Sequence, residues 1–233
     1  MTPVLEAIGV TKGYRGGDGS TIRVLDGVDL TVEPGEMVAV VGASGSGKST
    51  FLHVIGALER PDVGIVKLGG VSTSGASDEA LAELRNQRVG FVFQFHHLLK
   101  EFSALENVMM PMRIAERPEA EARHRAAELL ERVGLGSRLH HRPSELSGGE
   151  QQRAAVARAL ALHPPVLLAD EPSGNLDYQN AERLHEVFAT LTADAGLGIV
   201  VVTHNRALAQ RAHRVLHLED GRLFPAPPLA GGY

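Results

Sequence analysis

The sequence predicts an α/β fold: a mostly parallel sheet with helices packed on it and a helical block inserted into it. Three observations carry that expectation. Strand-sized apolar runs alternate with stretches of helical periodicity, the order that builds parallel sheets. One run, Met37–Val41, leads through the glycine-rich loop Gly42–Gly47 straight into a helical pattern. The stretch from about 94 to 162 is helical in character and has no convincing strand.

Val4–Val10 and Ile22–Val32 read as strands, the second ending in the turn Glu33-Pro34-Gly35-Glu36. Met37–Val41 is apolar throughout, as a strand covered on both faces requires. Phe51, Leu52, Ile55 and Leu58 then recur at helical spacing. Gly90–Phe93 is a short strand, and Glu119–Val133 is a helix stopped by Gly134. Gln151–Leu162 is a helix that Pro164-Pro165 ends. Val166–Ala169 and Ile199–Val202 are buried strands flanking a helical stretch, Ala181–Leu191. Val215–Leu218 and Arg222–Phe224 flank Asp220-Gly221, a hairpin signal.

Composition narrows the function classes. The 233 residues suffice for one large domain, or one with an insert. Hydrophobic residues at 43% and charged residues at 22% describe a globular chain, not a disordered one. The absence of cysteine excludes disulfide scaffolds, thiol catalysis and Cys-ligated zinc. A formal charge of −5 argues against a nucleic-acid partner. No apolar run approaches the roughly 18 residues of a spanning helix, and no signal peptide is recognised, so a cytoplasmic chain is expected.

Gly42-Ala43-Ser44-Gly45-Ser46-Gly47-Lys48-Ser49 satisfies the pattern G-x-x-x-x-G-K-[ST] and is followed by Thr50. Glycines at this spacing let backbone N–H groups turn inward onto phosphate oxygens, and the helix that follows adds its positive end. Lys48 is placed to reach β- and γ-phosphates and Ser49 to coordinate Mg²⁺. Asp170 and Glu171 end the strand Val166–Ala169 on the side where α/β sheets bind ligands. Asp170 suits the Mg²⁺ shell, and Glu171 suits a base that takes a proton from attacking water.

With Leu146-Ser147-Gly148-Gly149-Glu150-Gln151-Gln152-Arg153 added, the chain resembles the ATPase subunit of an ABC transporter. The resemblance covers nearly the whole chain. It implies an antiparallel β subdomain at the N-terminus, with 1–93 and 163–224 forming the ATP-binding core, 94–162 the helical signature subdomain and 225–233 a flexible tail. It implies ATP and Mg²⁺ as cofactors, and a head-to-tail dimer in which Ser147, Gly148 and Gly149 of one copy close on nucleotide held by the other. Gln94 matches the Q-loop glutamine that touches Mg²⁺ and water, and Asp177 belongs to the D-loop Ser173–Asp177 at the dimer interface. His204 matches the switch histidine on the γ-phosphate, and Tyr14 matches the aromatic that stacks on adenine. Gln151 and Asn205 depart from commoner residues of the family, at positions that do not touch nucleotide.

The run Gln94–Val108 is similar to the Q-loop region of LolD ATPases of lipoprotein-releasing complexes, although Lys100 stands where that pattern usually has proline. The branch also holds MacB-type exporters and the cell-division ATPase that pairs with FtsX. The likeness implies a peripheral chain at the cytoplasmic face of the inner membrane, seated on integral membrane permease subunits of the LolC/LolE type. The competing reading is a mechanical ATPase of the FtsX kind. A soluble ABC protein of DNA repair or translation is disfavoured, because the chain holds a single cassette and no long coiled coil. Within the run, Phe95, His96 and His97 are expected to dock a partner, and Leu98 and Leu99 to belong to the core. The pairs His96-His97 and His140-His141 make poor metal ligands, because adjacent side chains point apart.

Overall fold

A computed structural model describes residues 2–17, 19–192 and 196–226. The strands in chain order are β1 (Leu5–Arg15), β2 (Thr21–Val32), β3 (Met37–Val41), β4 (Val63–Leu68) and β5 (Val71–Ser72). They continue with β6 (Val89–Val92), β7 (Val166–Asp170), β8 (Gly198–Val202), β9 (Arg214–Glu219) and β10 (Arg222–Pro225). The helices are α1 (Lys48–Ile55), α2 (Asp78–Arg88), α3 (Ala104–Ile114), α4 (Glu119–Arg132), α5 (Gly148–Ala159), α6 (Tyr178–Thr192) and α7 (Arg206–Ala209).

One sheet, in the order β2-β1-β4-β5, is antiparallel. The other runs β10-β9-β3-β8-β7-β6, parallel from β9 to β6 with an antiparallel hairpin at its edge. Period-2 alternation of side chains along the parallel strands divides the core in two. Val38, Val40, Leu168, Val200 and Val202 join Phe51, Leu52 and Ile55 of α1 and the inner face of the antiparallel sheet. Met37, Ala39, Leu167, Ile199 and Val201 face the other way, onto a continuous apolar cluster with Val108, Leu130, Val156 and Phe188 of the helices.

Element edges move where local chemistry overrules periodicity. α1 stops at Ile55 rather than reaching Leu58, because Ala57 turns left-handed at φ 56° and leaves Leu58 exposed. α5 starts three residues early, at Gly148, because Ser147 and Glu150 form a reciprocal capping box. β1 runs on to Arg15 by pairing with β2 through register shifts. β4, β5, α2, α3 and α7 were not foreseen. Ala226 N–H still donates to Val215 O (3.0 Å), so the hairpin holds the first residues beyond Phe224, and 227–233 lie outside the described residues.

One buried amide shapes the segment between β6 and α3. Asn107 accepts from Leu99 N–H (2.8 Å), and its Nδ2 lies 2.9–3.1 Å from the carbonyls of Leu99, Phe102 and Ser103. No other residue substitutes for that set of bonds, so Asn107→Leu should lower stability by about 3 kcal/mol. Urea unfolding measures this, and a change near zero would show that the loop holds itself.

Candidate functional site

Neighbouring parallel strands all point their C-terminal ends at one cleft. β3 delivers the loop Gly42–Gly47, β7 delivers Asp170 and Glu171, β8 delivers His204, and β6 delivers Gln94. With Tyr14, Ile22 and Val24 from the antiparallel sheet, and Ser44, Gly45, Gly47, Lys48, Ser49 and Thr50, these residues line a space of about 640 Å³. Convergence at strand ends is the general site of α/β sheets.

The loop presents donors. Gly47, the cap of α1, sits at φ 96°, and a Cβ there would stand 2.6 Å from Val24 Cγ1, so only glycine fits. No side chain caps α1 and its first turn carries no acid, which leaves its positive end open to an anion. Lys48 Nζ donates to the carbonyls of Gly42 (3.0 Å) and Ala43 (2.8 Å), spanning the loop it belongs to. Tyr14 O–H donates to Glu59 (2.6 Å) at the cleft rim, and burial, then the Glu59 bond, pushes the phenol pKa up.

Glu171 is the most tightly held group. Its backbone is left-handed (φ 44°), a conformation that a non-glycine residue keeps only when surroundings enforce it. Its N–H donates to Val202 O (2.9 Å), and its carboxylate accepts from Thr203 Oγ1 (3.0 Å) and His204 N–H (3.1 Å). His204 Nδ1 lies 2.9 Å from the same carboxylate, with the ring largely exposed. Gln94 Nε2 donates to Asn175 Oδ1 (2.9 Å), which leaves the Gln94 amide oxygen available to the cleft. Ser49, Asp170 and Gln94 thus offer hard oxygen donors along one wall, the set suited to Mg²⁺. Among the described residues no cluster of three or more His, Asp or Glu could hold a metal.

Ser147, Gly148, Gly149 and Asp177 lie apart from this cleft in the same chain. Ser147 Oγ accepts from Glu150 N–H, and Glu150 accepts from Ser147 N–H, so the α5 start is fixed by the chain's own bonds. Asp177 accepts from Asn180 N–H (2.9 Å) and Nδ2 (2.7 Å), bonds that hold its carboxyl below the usual range. A Cβ on Gly149 would fall 2.3 Å from Asn180 Oδ1, so the start of α5 and the start of α6 are in direct contact.

Beyond Gln94, Phe95 is 64% exposed and Leu98 is buried at 7%. Leu99 is 40% exposed, which corrects the expectation of a core residue: Asn107 takes both its N–H and its carbonyl, turning the side chain outward. Sequence reasoning missed three supports of this region. Arg158 donates to the carbonyls of His96 (2.9 Å) and His97 (2.8 Å), Gln152 donates to Phe93 O (2.8 Å), and Asn175 bonds Gln94. All three sit in recognised segments, but their partners are distant in the chain and no local signal announces them.

A phosphate loop on β3 and a carboxylate pair on β7, with a capped glycine pair opening α5, define a P-loop nucleoside triphosphatase. Residues 25–174 match the family model described as ABC transporter. The chain belongs to the ABC transporter ATPase family, and is an ATP-hydrolysing cassette. It is 52% identical over 223 residues to the lipoprotein-releasing system ATP-binding protein LolD of Geobacter metallireducens, covering 96% of this chain and 99% of that one. It is 50% identical to the protein of the same name in Bordetella pertussis, covering 96% of each. A solved ATP-binding cassette, dimeric in a post-hydrolysis state with ADP and Pi, superposes with TM-score 0.87 at 38% identity, covering 98% of this chain and 100% of that one.

Proposed function

We propose that this chain is the ATPase subunit that drives release of lipoproteins from the inner membrane toward the outer membrane. It works as a head-to-tail pair of cassettes seated at the cytoplasmic face on integral permease subunits of the LolC/LolE type. The observation that carries this reading is 52% identity to a LolD protein across 96% of the chain and 99% of that relative. No helix among the described residues is long and apolar enough to cross a membrane, so the membrane-spanning part is assigned to partners.

In this reading the backbone of Gly42–Gly47 and Lys48 hold the β- and γ-phosphates, with Thr50 beside them and Tyr14 against the adenine. Ser49, Asp170 and Gln94 would hold Mg²⁺, which supplies charge neutralisation at the phosphates when bound. Glu171 takes the proton from the attacking water, with Thr203 and the His204 backbone N–H fixing its carboxylate. His204, its exposed ring 2.9 Å from the Glu171 carboxylate, contacts the γ-phosphate. Ser147, Gly148 and Gly149 of the second copy close the site, and Asp177 meets it across the interface. Residues 94–162 move as a unit about Gln94.

Purification of the assembled complex from membranes, with depletion of the chain in cells, tests the assignment. Lipoproteins retained in the inner membrane are the expected outcome; filamentous cells with normally sorted lipoproteins would transfer the chain to the FtsX-type reading. Docking has its own test. Phe95→Glu places a charge on the exposed ring position next to the hinge, so it should weaken co-purification with the permease about tenfold or more. Basal ATPase of the isolated chain should stay within about twofold, because Phe95 does not line the cleft. Normal assembly of Phe95→Glu would move the dock elsewhere.

A further inference from the structure

Behind the cleft, a line of four side chains joins two segments that carry catalytic groups. Arg211, just past α7, donates to Glu182 Oε2 of α6 (2.8 Å). Glu182 Oε1 lies 3.3 Å from His185 Nδ1, and His185 Nε2 lies 3.1 Å from Ser173 Oγ. His185 is 1% exposed and Ser173 4%. Ser173 stands two residues after Glu171 and opens the D-loop, while α7 and Arg211 follow directly on His204.

The protonation pattern follows from the partners. Glu182 is a carboxylate already bound by Arg211, so it accepts, and Nδ1 carries the imidazole proton. Burial draws the His185 pKa down, which favours the neutral ring. Nε2 is then unprotonated and accepts from Ser173 O–H. The order carboxylate, imidazole, hydroxyl is that of a nucleophilic triad, but a buried Ser173 is closed to substrate and its hydroxyl serves as a tether.

We propose that His185 is a positioning residue for ATP hydrolysis: through Ser173 on one side and Glu182–Arg211 on the other, it fixes the D-loop and Glu171 against the segment that carries His204. Ser173, His185, Glu182 and Arg211 are all absent from the lining of the cleft that the phosphate-binding loop faces. Loss of this brace therefore acts on turnover rather than on nucleotide affinity. The inference rests on the assignment of Glu171 as the base.

The test compares Ser173→Ala, His185→Phe, the double variant and His185→Gln in the full chain, reading kcat and KM for ATP together with thermal stability. Ser173→Ala and His185→Phe should each lower kcat by about three- to tenfold with KM within about twofold. The double variant should be no slower than the slower single, because both break the same Ser173–His185 bond. His185→Gln, which can still accept from Ser173 through its amide oxygen, should recover most of the loss. Wild-type kcat in Ser173→Ala overturns the proposal, even if His185→Phe fails to fold. Losses that are additive, or that follow thermal stability alone, overturn it too. Failure of the underlying assignment would look different: Glu171→Gln itself would keep turning over.

Discussion

Glu171→Gln should bind ATP normally and nearly cease to hydrolyse it. The amide keeps the shape of the side chain and can still accept from Thr203 and the His204 N–H, so the left-handed turn at Glu171 survives. It has lost the basicity that takes a proton from water, an effect of about 10²–10⁴ in rate. In the proposed site nucleotide affinity rests on the Gly42–Gly47 amides and Lys48, which follow a different strand, β3. Trapped ATP should then hold two chains together, and size-exclusion chromatography with saturating Mg-ATP reads that pairing alongside the hydrolysis assay. Turnover at the parent rate, or a chain that stays monomeric, would remove Glu171 from the role of base.

Lys48→Ala should fail one step earlier. The ammonium group bonds the carbonyls of Gly42 and Ala43, so it is pre-placed across the loop mouth with one donor left for phosphate. Loss of the ammonium charge and its remaining donor beside the phosphates should weaken ATP by about 3 kcal/mol, roughly a hundredfold in Kd. Fluorescent-nucleotide titration measures it. A Kd within about twofold of the parent would mean that the phosphates sit elsewhere.

Much of the candidate site was legible because its signals are local. The glycine spacing around Lys48, the carboxylate pair ending an apolar strand and the run Ser147–Gly149 each lie within eight residues. The parallel sheet was legible because Met37–Val41, Val166–Ala169 and Ile199–Val202 are apolar on both faces. β4 was missed because Val63 and Ile65 are exposed while Val66 and Leu68 are buried, so its alternation is blurred on the outer face. α3 was missed because Pro111 interrupts its pattern, although Ser103 and Glu106 box its start. Leu99 went astray because burial there is decided by Asn107 capturing its backbone, which composition does not reveal. The Gln94–Asn175 bond spans 81 residues, and contacts of that kind exist only once the sheet has formed.

The distance between the Ser147–Gly149 end and the chain's own phosphate loop has a kinetic meaning. In the proposed head-to-tail pair, a lone cassette owns two halves of different sites and no whole one. In dilute solution hydrolysis should therefore rise with the square of chain concentration, levelling off only as pairs saturate. Two copies held side by side on a permease would meet at a fixed effective concentration, and the order of the reaction would drop to one. Membrane assembly then acts as a rate control before any cargo arrives, because it decides how often a half-site finds its complement.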